Sequence, residues 1–463
     1  MKCDETSLSC RNCLAAGWKC DGCSPSLSNP LQTPGIVSYA IPFRVPGSQK
    51  ERQALHYYCV QGCSDIAGYM DSEFWSHEVL RASHHESIVR QALVSLSLLQ
   101  LESASSDGIK AAGSEALVRY GKALRALNRS LQDPSSESVR TALLCCVLFY
   151  CFETAQGQPE NAVRHLESGL NILSQTSHIL PGYQYQGNSP LYKIFRRLDL
   201  QATIFNQERK PVLAQVLNTV CGWPDSTPRE RFLNDAFDEL VMIQSALFRF
   251  LVPNTLTRAF PLEAIPVPIL SGKNKLVDLL DQWKKNVDRF EVASQSSSQS
   301  LESLKVLTIQ WHICHMLLAS VHPLDDTVFG ASPNPETKTV LDLITDVLAT
   351  QGCKIADGNV GRTLRRTCSA ETGIVAPLFM ICMKCSDSAV RRRAAELLEK
   401  ADRREGLYDS RNVLAIVHKF ETAKRQDESL NDRITDLSLE DCFPAGLATA
   451  IGTMDHLADF LET

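Results

Sequence analysis

Apolar residues recur along most of this chain at alternating steps of three and four positions, which is the spacing of one face of an α-helix. From about Glu51 onward, nearly every segment follows this pattern. The clearest stripes are Leu191, Phe195, Leu198, Ala202 and Phe205; Leu276, Leu280, Trp283, Val287 and Phe290; and Val413, Ile416, Phe420 and Ala423. The pattern indicates a series of helices that each bury one face.

One predicted helix lacks a polar face. Residues 139–152, with the sequence VRTALLCCVLFYCF, are apolar almost all round, so they predict a central helix that is buried on every side. The turn sequence QGQP follows at 156–159. The apolar stripe after that turn consists of Val163, Leu166, Leu170 and Leu173. This order predicts an αα-hairpin, with Pro159 in the first turn of its second helix.

Strand signals are scarce. The segment IPVPI at 265–269 is rich in β-forming residues, but its prolines would interrupt a hydrogen-bonded ladder. We therefore expect an all-α fold, a large helical bundle or a solenoid-like arrangement. Clusters of Gly, Ser, Gln, Asn and Pro at 294–300 and 330–336 predict exposed loops and not a domain boundary.

The composition is that of a globular protein. The chain has 463 residues, of which 44% are hydrophobic and 22% charged, and its net charge is −6. A chain with this net charge has no general attraction for nucleic acid. No run of apolar residues reaches membrane-spanning length, and the polar, cysteine-rich N-terminus is unlike a signal peptide. We therefore expect a reducing compartment, cytosol or nucleus, and no membrane partner.

The chain has seventeen cysteines, and five of them fall in its first 23 residues. Most of the others stand in apolar stretches and are expected to be buried and reduced. The first five are spaced C-x6-C-x2-C-x6-C-x2-C, and a C-x2-C pair lets two thiolates reach one metal from a tight turn. Four thiolates complete a tetrahedral Zn²⁺ site, so this segment predicts a zinc module. Reduced cysteines in a disordered tail are the alternative.

Composition divides the chain into three parts. Residues 1–23 are the predicted zinc module. Residues 24–50 are rich in Ser, Pro and Gly without helical periodicity, so they predict a flexible linker. Residues 51–463 then form the predicted all-α body.

The segment KCDETSLSCRNCLAAGWKCDGC at residues 2–23 resembles the second half of the fungal Zn₂Cys₆ binuclear cluster, in which six cysteines bind two zinc ions. The cysteines that match the third to sixth of that family are Cys3, Cys10, Cys13 and Cys20. Cys23 stands where the family often has an aromatic residue, and it is a substitute ligand at most. The first C-x2-C of the family and the basic stretch after it are absent here. The resemblance therefore implies a truncated module with at most one Zn²⁺.

Zn₂Cys₆ modules place a short helix in the major groove of DNA, and neutralisation of phosphates supplies much of their affinity. The resemblance makes Lys2, Arg11 and Lys19 the candidate DNA-binding residues. Three acidic side chains in the same segment balance their charge, so residues 1–23 are formally neutral. We therefore expect weak DNA binding, with DNA as a partner only if the full cluster exists.

The predicted body carries a second resemblance. Five segments are similar, in this order, to the fungal-specific transcription factor domain that often follows such clusters: 71–99, 120–131, 139–173, 195–205 and 382–410. The resemblance implies a nuclear, sequence-specific regulator of RNA polymerase II transcription with co-regulator proteins as partners; homodimerisation stays open. The alternative is a helical interaction scaffold, derived from such a factor, that does not bind DNA.

Three groups in the body were candidates for enzyme chemistry. His312 and His315 have a spacing that could hold a metal, but no matching carboxylate is visible, so hydrogen-bonded, buried histidines are expected. The aspartate pair at 325–326 lacks a third acidic partner at helical spacing. The C-x2-C at 382–385 lacks the βαβ setting of a redox site. We therefore expect no enzymatic activity.

A basic run lies near the C-terminal end of the predicted body. Its cations are Arg391, Arg392, Arg393, Arg403 and Arg404. Three glutamates offset them along the chain: Glu396, Glu399 and Glu405. Because the charges are mixed, we expect a solvated, ion-paired face here and not a DNA-binding patch.

Overall fold

The structure is a computed structural model. It describes residues 47–70, 73–103, 113–132, 135–179, 189–206, 209–213, 223, 227–254, 257, 260–293, 298–322, 326–329, 335–356 and 366–427. All of these belong to one compact unit, Val45–Thr463. The predicted zinc module and most of the predicted linker lie outside the described residues, and the predicted domain boundaries stay predictions.

Helices make up nearly all of the described residues, which confirms the predicted all-α fold. In chain order, the α-helices are α1 (Gln49–Tyr57), α2 (Cys63–Ala67), α3 (Leu80–His85), α4 (Ser87–Ser103), α5 (Gly113–Ser130), α6 (Ser136–Gln156), α7 (Pro159–Ile179), α8 (Pro190–Phe205), α9 (Arg229–Leu251), α10 (Val267–Ala293), α11 (Ser298–Ala319), α12 (Pro335–Ala356), α13 (Val375–Lys384), α14 (Ser388–Ala401) and α15 (Ser410–Asp427). Two π-helical turns, Tyr58–Gly62 and Phe74–Val79, join α1 to α2 and lead into α3. Short 3₁₀ turns lie at Val252–Asn254, Leu262–Ala264 and Asp326–Phe329.

The hairpin of α6 and α7 has the boundaries that its sequence predicts. Ser135 caps α6 by accepting a hydrogen bond from the backbone N–H of Ser138. Gly157 ends the helix at φ 78°, a left-handed conformation that glycine adopts without steric cost. Pro159 then opens α7, and the two helices pack against each other. The predicted hairpin is confirmed.

Helix α6 passes through the core. Within the described ranges, it is the one helix long and apolar enough to cross a membrane, so the prediction that no run reaches that length was wrong. In the structure, 83% of its most apolar window is buried inside the protein. Every residue from 141 to 154 is buried, which confirms the predicted central helix.

Helices that follow one another in the chain form the layers of the body. The adjacent pairs that pack together include α4 with α5, α11 with α12, and α13 with α14. Two fully buried tryptophans, Trp75 and Trp283, fill the space between helices. Trp283 Nε1 donates to the carbonyl of Ala236 at 2.9 Å, and the carbonyl of Trp75 accepts from the hydroxyl of Tyr58 at 2.9 Å. The polar groups at these packing sites are therefore satisfied within the core.

Part of each predicted loop is helical. The last three residues of 294–300 open α11, and the last two residues of 330–336 open α12. Pro335 is the first residue of α12, where the missing N–H of proline costs no intrahelical bond. Helix α10 likewise begins inside the proline-rich segment 265–269. Residue types that are typical of loops therefore also occupy the first turns of these helices.

Three strands of two residues each form a small sheet: β1 (Cys368–Ser369), β2 (Arg404–Glu405) and β3 (Tyr408–Asp409). β2 pairs in parallel with β1 and antiparallel with β3. The backbone N–H of Ala370, just after β1, donates to the carbonyl of Ile66 in α2 at 2.9 Å. The sheet therefore joins the C-terminal part of the body to its first helices.

Gly169 provides a test of how tightly α7 packs on α6 and α8. A Cβ at this position would lie 2.3 Å from the ring of Phe195 and 3.2 Å from the Cβ of Cys146. Because Phe195 and Cys146 are buried in a close-packed interior, the backbone would have to shift. We expect Gly169→Ala to lower the free energy of unfolding by about 1–3 kcal/mol in urea denaturation.

Gly121 is the matched control, since it lies within helix α5 but faces open space. Only the end of the Arg125 side chain would approach its Cβ, at 3.4 Å. Alanine favours a helix over glycine by about 1 kcal/mol, so Gly121→Ala should leave the protein unchanged or slightly more stable. Equal destabilisation by the two substitutions would contradict the packing described here.

Candidate functional site

The predicted zinc and DNA ligands lie outside the described residues. This applies to Cys3, Cys10, Cys13, Cys20 and the substitute Cys23, and to Lys2, Arg11 and Lys19. Among the residues that the structure does describe, no group of three or more metal-ligating side chains is arranged to hold an ion. Among the described residues, a group of buried, paired charges lies around β2.

Arg403 and Glu405 connect the two ends of the body. They are 4% and 0% exposed, and Arg403 Nε lies 2.9 Å from Glu405 Oε1, an ion pair without the alignment of a hydrogen bond. Arg403 Nη1 donates to the hydroxyl of Tyr69 at 2.6 Å, and its guanidinium carbon lies 4.5 Å from the centre of the Tyr69 ring. Burial raises the pKa of Tyr69, so this hydroxyl stays protonated. Arg403 Nη1 also donates to Gln351 Oε1 at 3.0 Å, so the cation is held by one carboxylate, one neutral tyrosine and one amide oxygen.

Glu405 also holds the start of α13. Its Oε2 atom accepts hydrogen bonds from the backbone N–H groups of Gly373 at 2.8 Å and Val375 at 2.9 Å. The first N–H groups of a helix have no intrahelical partner and carry partial positive charge, so a carboxylate stabilises them. A Cβ on Gly373 would lie 2.2 Å from the ring of Tyr69, so the close approach requires glycine.

Arg404 forms a second connection, to the end of α6. Its Nε donates to Asp409 Oδ2 at 2.9 Å, and its Nη1 donates to the carbonyl of Thr154. That carbonyl belongs to the last turn of α6, where a cation also interacts favourably with the helix dipole. Burial would raise the pKa of Asp409, but the hydrogen bond from Arg366 and the charge of Arg404 outweigh it and lower that pKa.

A further buried cluster ties α8 to α9 and to the segment before α13. Arg197 donates to Asp238 at 2.7 Å and to Glu371 at 3.1 Å. Lys193 Nζ lies 2.7 Å from the other oxygen of Asp238. Burial raises the pKa of Glu371, whereas at Asp238 the cations Arg197 and Lys193 outweigh burial and lower the pKa. Each buried charge in this cluster thus has an opposite charge beside it.

The prediction of a solvated basic face was wrong for two of its arginines. Arg391 is 7% exposed and Arg403 is 4% exposed. Arg391 Nε lies 2.6 Å from Glu421 Oε1, and Arg393 Nη2 lies 2.6 Å from Asp342 Oδ1. The run is ion-paired as expected, but several of its partners lie on other helices and bring the cations into the interior.

One small cavity lies between α8, α9, α11 and α13. Its volume is about 40 Å³, and its polar lining includes Gln244, whose Nε2 donates to the thiol sulfur of Cys314 at 3.5 Å. An aromatic molecule the size of benzene occupies a cavity of about 150 Å³. The cavity as it stands is therefore large enough for water but not for an organic effector.

His312 and His315 share one carboxylate across α11 and α12. His315 Nδ1 lies 2.8 Å from Glu336 Oε1, and His312 Nδ1 lies 3.3 Å from Glu336 Oε2. The sequence showed no carboxylate partner because Glu336 stands 21 positions after His315, on the next helix. Both rings form the expected hydrogen bonds within the protein, but they are half-buried and not buried, with 14% and 30% of their side chains exposed.

The C-x2-C at 382–385 consists of two buried thiols. Burial raises the pKa of Cys382 to about 12 and also raises the pKa of Cys385. The two sulfurs lie 3.8 Å and 4.0 Å from the backbone carbonyls of Arg391 and Asp387. Since thiolates and not thiols bind metals and act as nucleophiles, these cysteines are structural.

The class of protein is indicated by the comparison with known families. Residues 53–204 match the sequence model of the family described as the fungal specific transcription factor domain. This range runs from within α1 to the end of α8. It contains Tyr69 and Thr154, the residues to which Arg403 and Arg404 connect.

Two relatives carry names that agree with this family. The chain is 23% identical over 516 residues to the aspercryptin biosynthesis cluster-specific transcription regulator atnN of Emericella nidulans, an alignment that covers 89% of this chain and 83% of that protein. It is 28% identical over 198 residues to transcription regulator lscL of Purpureocillium lilacinum, covering 38% of this chain and 46% of that protein. No solved structure matches the chain. The chain is thus related to transcription regulators.

Removal of Arg403 tests the connection between the two ends of the body. In Arg403→Met, Glu405 would remain buried without its cation, and such a loss costs about 3–5 kcal/mol. We expect the free energy of unfolding to decrease by this amount when it is measured by urea denaturation with circular dichroism.

Arg411→Met is the matched control, because Arg411 pairs with Asp402 on the surface, where its side chain is 67% exposed. An exposed pair contributes less than about 1 kcal/mol, so this variant should unfold close to the wild-type midpoint. If both variants lost the same stability, the buried pair would not be the connection described above.

The contact of His315 with Glu336 makes stability depend on pH. The hydrogen bond to Glu336 raises the pKa of His315, against the effect of burial. The stabilisation that this contact gives to the folded protein is therefore complete below the unfolded pKa of His315, about 6.5. It is lost as pH rises through the raised pKa of the folded protein. Burial would raise the pKa of Glu336, but hydrogen bonds from His312 and His315 lower it to about 2.

We expect the pKa of His315, measured by NMR titration, to fall in Glu336→Gln. The stability that the wild type loses as pH rises above about 6.5 should then decrease less in this variant. An unchanged histidine pKa would show that the carboxylate does not hold the proton on His315.

Proposed function

We propose that this chain is a nuclear regulator of transcription by RNA polymerase II, with a zinc module that binds DNA and a helical body that controls activity through co-regulator proteins. The observation that carries the proposal is the match of residues 53–204 to the fungal specific transcription factor domain. The names of the two relatives and the all-α fold support it.

The zinc part of the proposal depends on the N-terminal cysteines. Cys3, Cys10, Cys13 and Cys20, with Cys23 as a substitute, supply enough thiolates for one tetrahedral Zn²⁺. Lys2, Arg11 and Lys19 are the cations proposed to contact DNA. Because three cations neutralise few phosphates, this module alone supplies little affinity, and DNA binding is proposed to be weak and strongly dependent on salt.

We infer a regulatory role for the body from the family match and the names of the two relatives. The histidine and cysteine pairs that were candidates for enzyme chemistry have structural partners, which are Glu336 and backbone carbonyls. The alternative proposal, a scaffold that regulates transcription without binding DNA, assigns the same body to protein partners alone.

The double substitution Cys10→Ala, Cys13→Ala tests the zinc module in the full chain. We expect it to lower the zinc content of the purified protein and to reduce its occupancy at chromatin. Cys382→Ala, Cys385→Ala is the matched control, since it removes the other C-x2-C, whose thiols are buried and protonated. The control should keep its zinc.

Zinc content that is unchanged in the first variant would rule out the zinc module. Zinc that is lost while chromatin occupancy and transcript levels stay the same would contradict DNA reading by this module and favour the scaffold. Loss of zinc, occupancy and transcriptional effect together is the result that the proposal predicts.

A further inference from the structure

Helix α5 carries three exposed cations on one face. Lys122, Arg125 and Arg129 lie three and four positions apart, so they project from the same side of the helix. None of them forms an ion pair with the described part of the chain, although Arg129 Nε donates to the carbonyl of Arg125 at 3.2 Å. We refer to these three side chains as the α5 stripe.

The first turns of α5 differ from this stripe because their charges are matched by α1. Lys50 Nζ lies 2.7 Å from Glu115 Oε2, and Arg119 Nη1 lies 2.5 Å from Glu51 Oε1. Two apolar side chains next to these pairs, Leu117 and Val118, are 49% and 51% exposed. The surface of α5 thus combines unmatched positive charge with exposed apolar groups.

The C-terminal segment 428–463 has the complementary chemistry. It contains eight acidic side chains and one basic side chain. Asp455, Asp459 and Glu462 are separated by four and three positions, the spacing of the α5 stripe in reverse order. Leucine and phenylalanine stand between these acids in the sequence DHLADFLET.

We propose that segment 428–463 docks on the α5 stripe of its own chain, with Asp455, Asp459 and Glu462 beside the three cations. The segment follows directly after α15, which ends at Asp427. A chain of this length extends to roughly 100 Å, whereas a folded unit of this size has a radius of gyration of roughly 20 Å. The segment can therefore reach α5 from any point on the body.

The tether favours this occupant over a free partner. A segment linked to its binding site has an effective concentration of about 1 mM, so weak contacts are sufficient. The exposed Leu117 and Val118 favour a peptide with apolar side chains over the phosphates of DNA, which gain nothing from them. Three cations also release few counterions from a duplex.

The α5 stripe lies within the family-matched range 53–204, and the proposed contact is sensitive to salt. Each exposed ion pair contributes little, and screening weakens it further as ionic strength rises. The segment therefore binds reversibly, and a partner with higher charge can displace it.

Zero-length carbodiimide crosslinking of the full chain tests the proposal, because it joins a lysine amine only to a carboxylate in contact with it. We expect mass spectrometry to detect Lys122 joined to Asp455, Asp459 or Glu462. The yield should fall about fivefold or more between about 0.05 M and about 0.5 M NaCl. It should fall similarly in Arg125→Glu, Arg129→Glu, which keeps Lys122 as the reporter.

Lys285→Glu, Arg289→Glu is the matched control, with the same spacing and the same charge change on an exposed face of α10. This variant should keep the crosslink. Adding Asp455→Lys and Asp459→Lys to the α5 variant should restore the Lys122–Glu462 product, which separates a charge effect from a folding defect.

Several results would overturn the proposal. One is the absence of any product between Lys122 and the C-terminal segment at low salt, and another is an equal yield in the α5 variant. Crosslinks between isotopically labelled and unlabelled chains would show that the α5 stripe contacts the C-terminal segment of a second copy of the protein. A missing crosslink together with weaker binding of the α5 variant to duplex DNA would assign it to nucleic acid.

Discussion

The buried ion pair of Arg403 and Glu405 is the contact on which the arrangement of the body depends. Removing two charges from water is costly, and the cost is offset only when both ions have further partners. Here Arg403 also donates to Tyr69, and Glu405 accepts from the first N–H groups of α13. One pair therefore fixes the positions of three separate parts of the chain.

The family-matched range is not a separate structural unit, because later parts of the chain complete it. The matched range 53–204 ends with α8, but its helices are completed by residues more than 150 positions later. The backbone of Ala370 bonds to α2, and Arg404 bonds to the end of α6. The range that matches the fungal specific transcription factor domain is thus the first part of a larger folded unit, and the polar contacts described above hold that unit together.

The sequence predicted those features that depend on local patterns. The α6–α7 hairpin was predictable because Gly157, Pro159 and an apolar stripe stand within a few turns of each other. The burial of Arg403 was not, because its partner Tyr69 lies 334 positions away. Glu405 and Glu396 are both acidic residues near the basic run, yet Glu405 lies in strand β2 and Glu396 lies in helix α14. The carboxylate beside His312 and His315 was missed for the same reason, since Glu336 belongs to the next helix.

Hydrogen exchange measured by mass spectrometry over a series of urea concentrations tests most directly whether the body is one unit. The peptides to compare are those of α6, within the family-matched range, and those of β2 and α15, outside it. We predict that the most protected amides of these elements lose protection at the same urea concentration. Loss of protection in β2 and α15 while α6 remains fully protected would contradict a single unit held by Arg403 and Glu405.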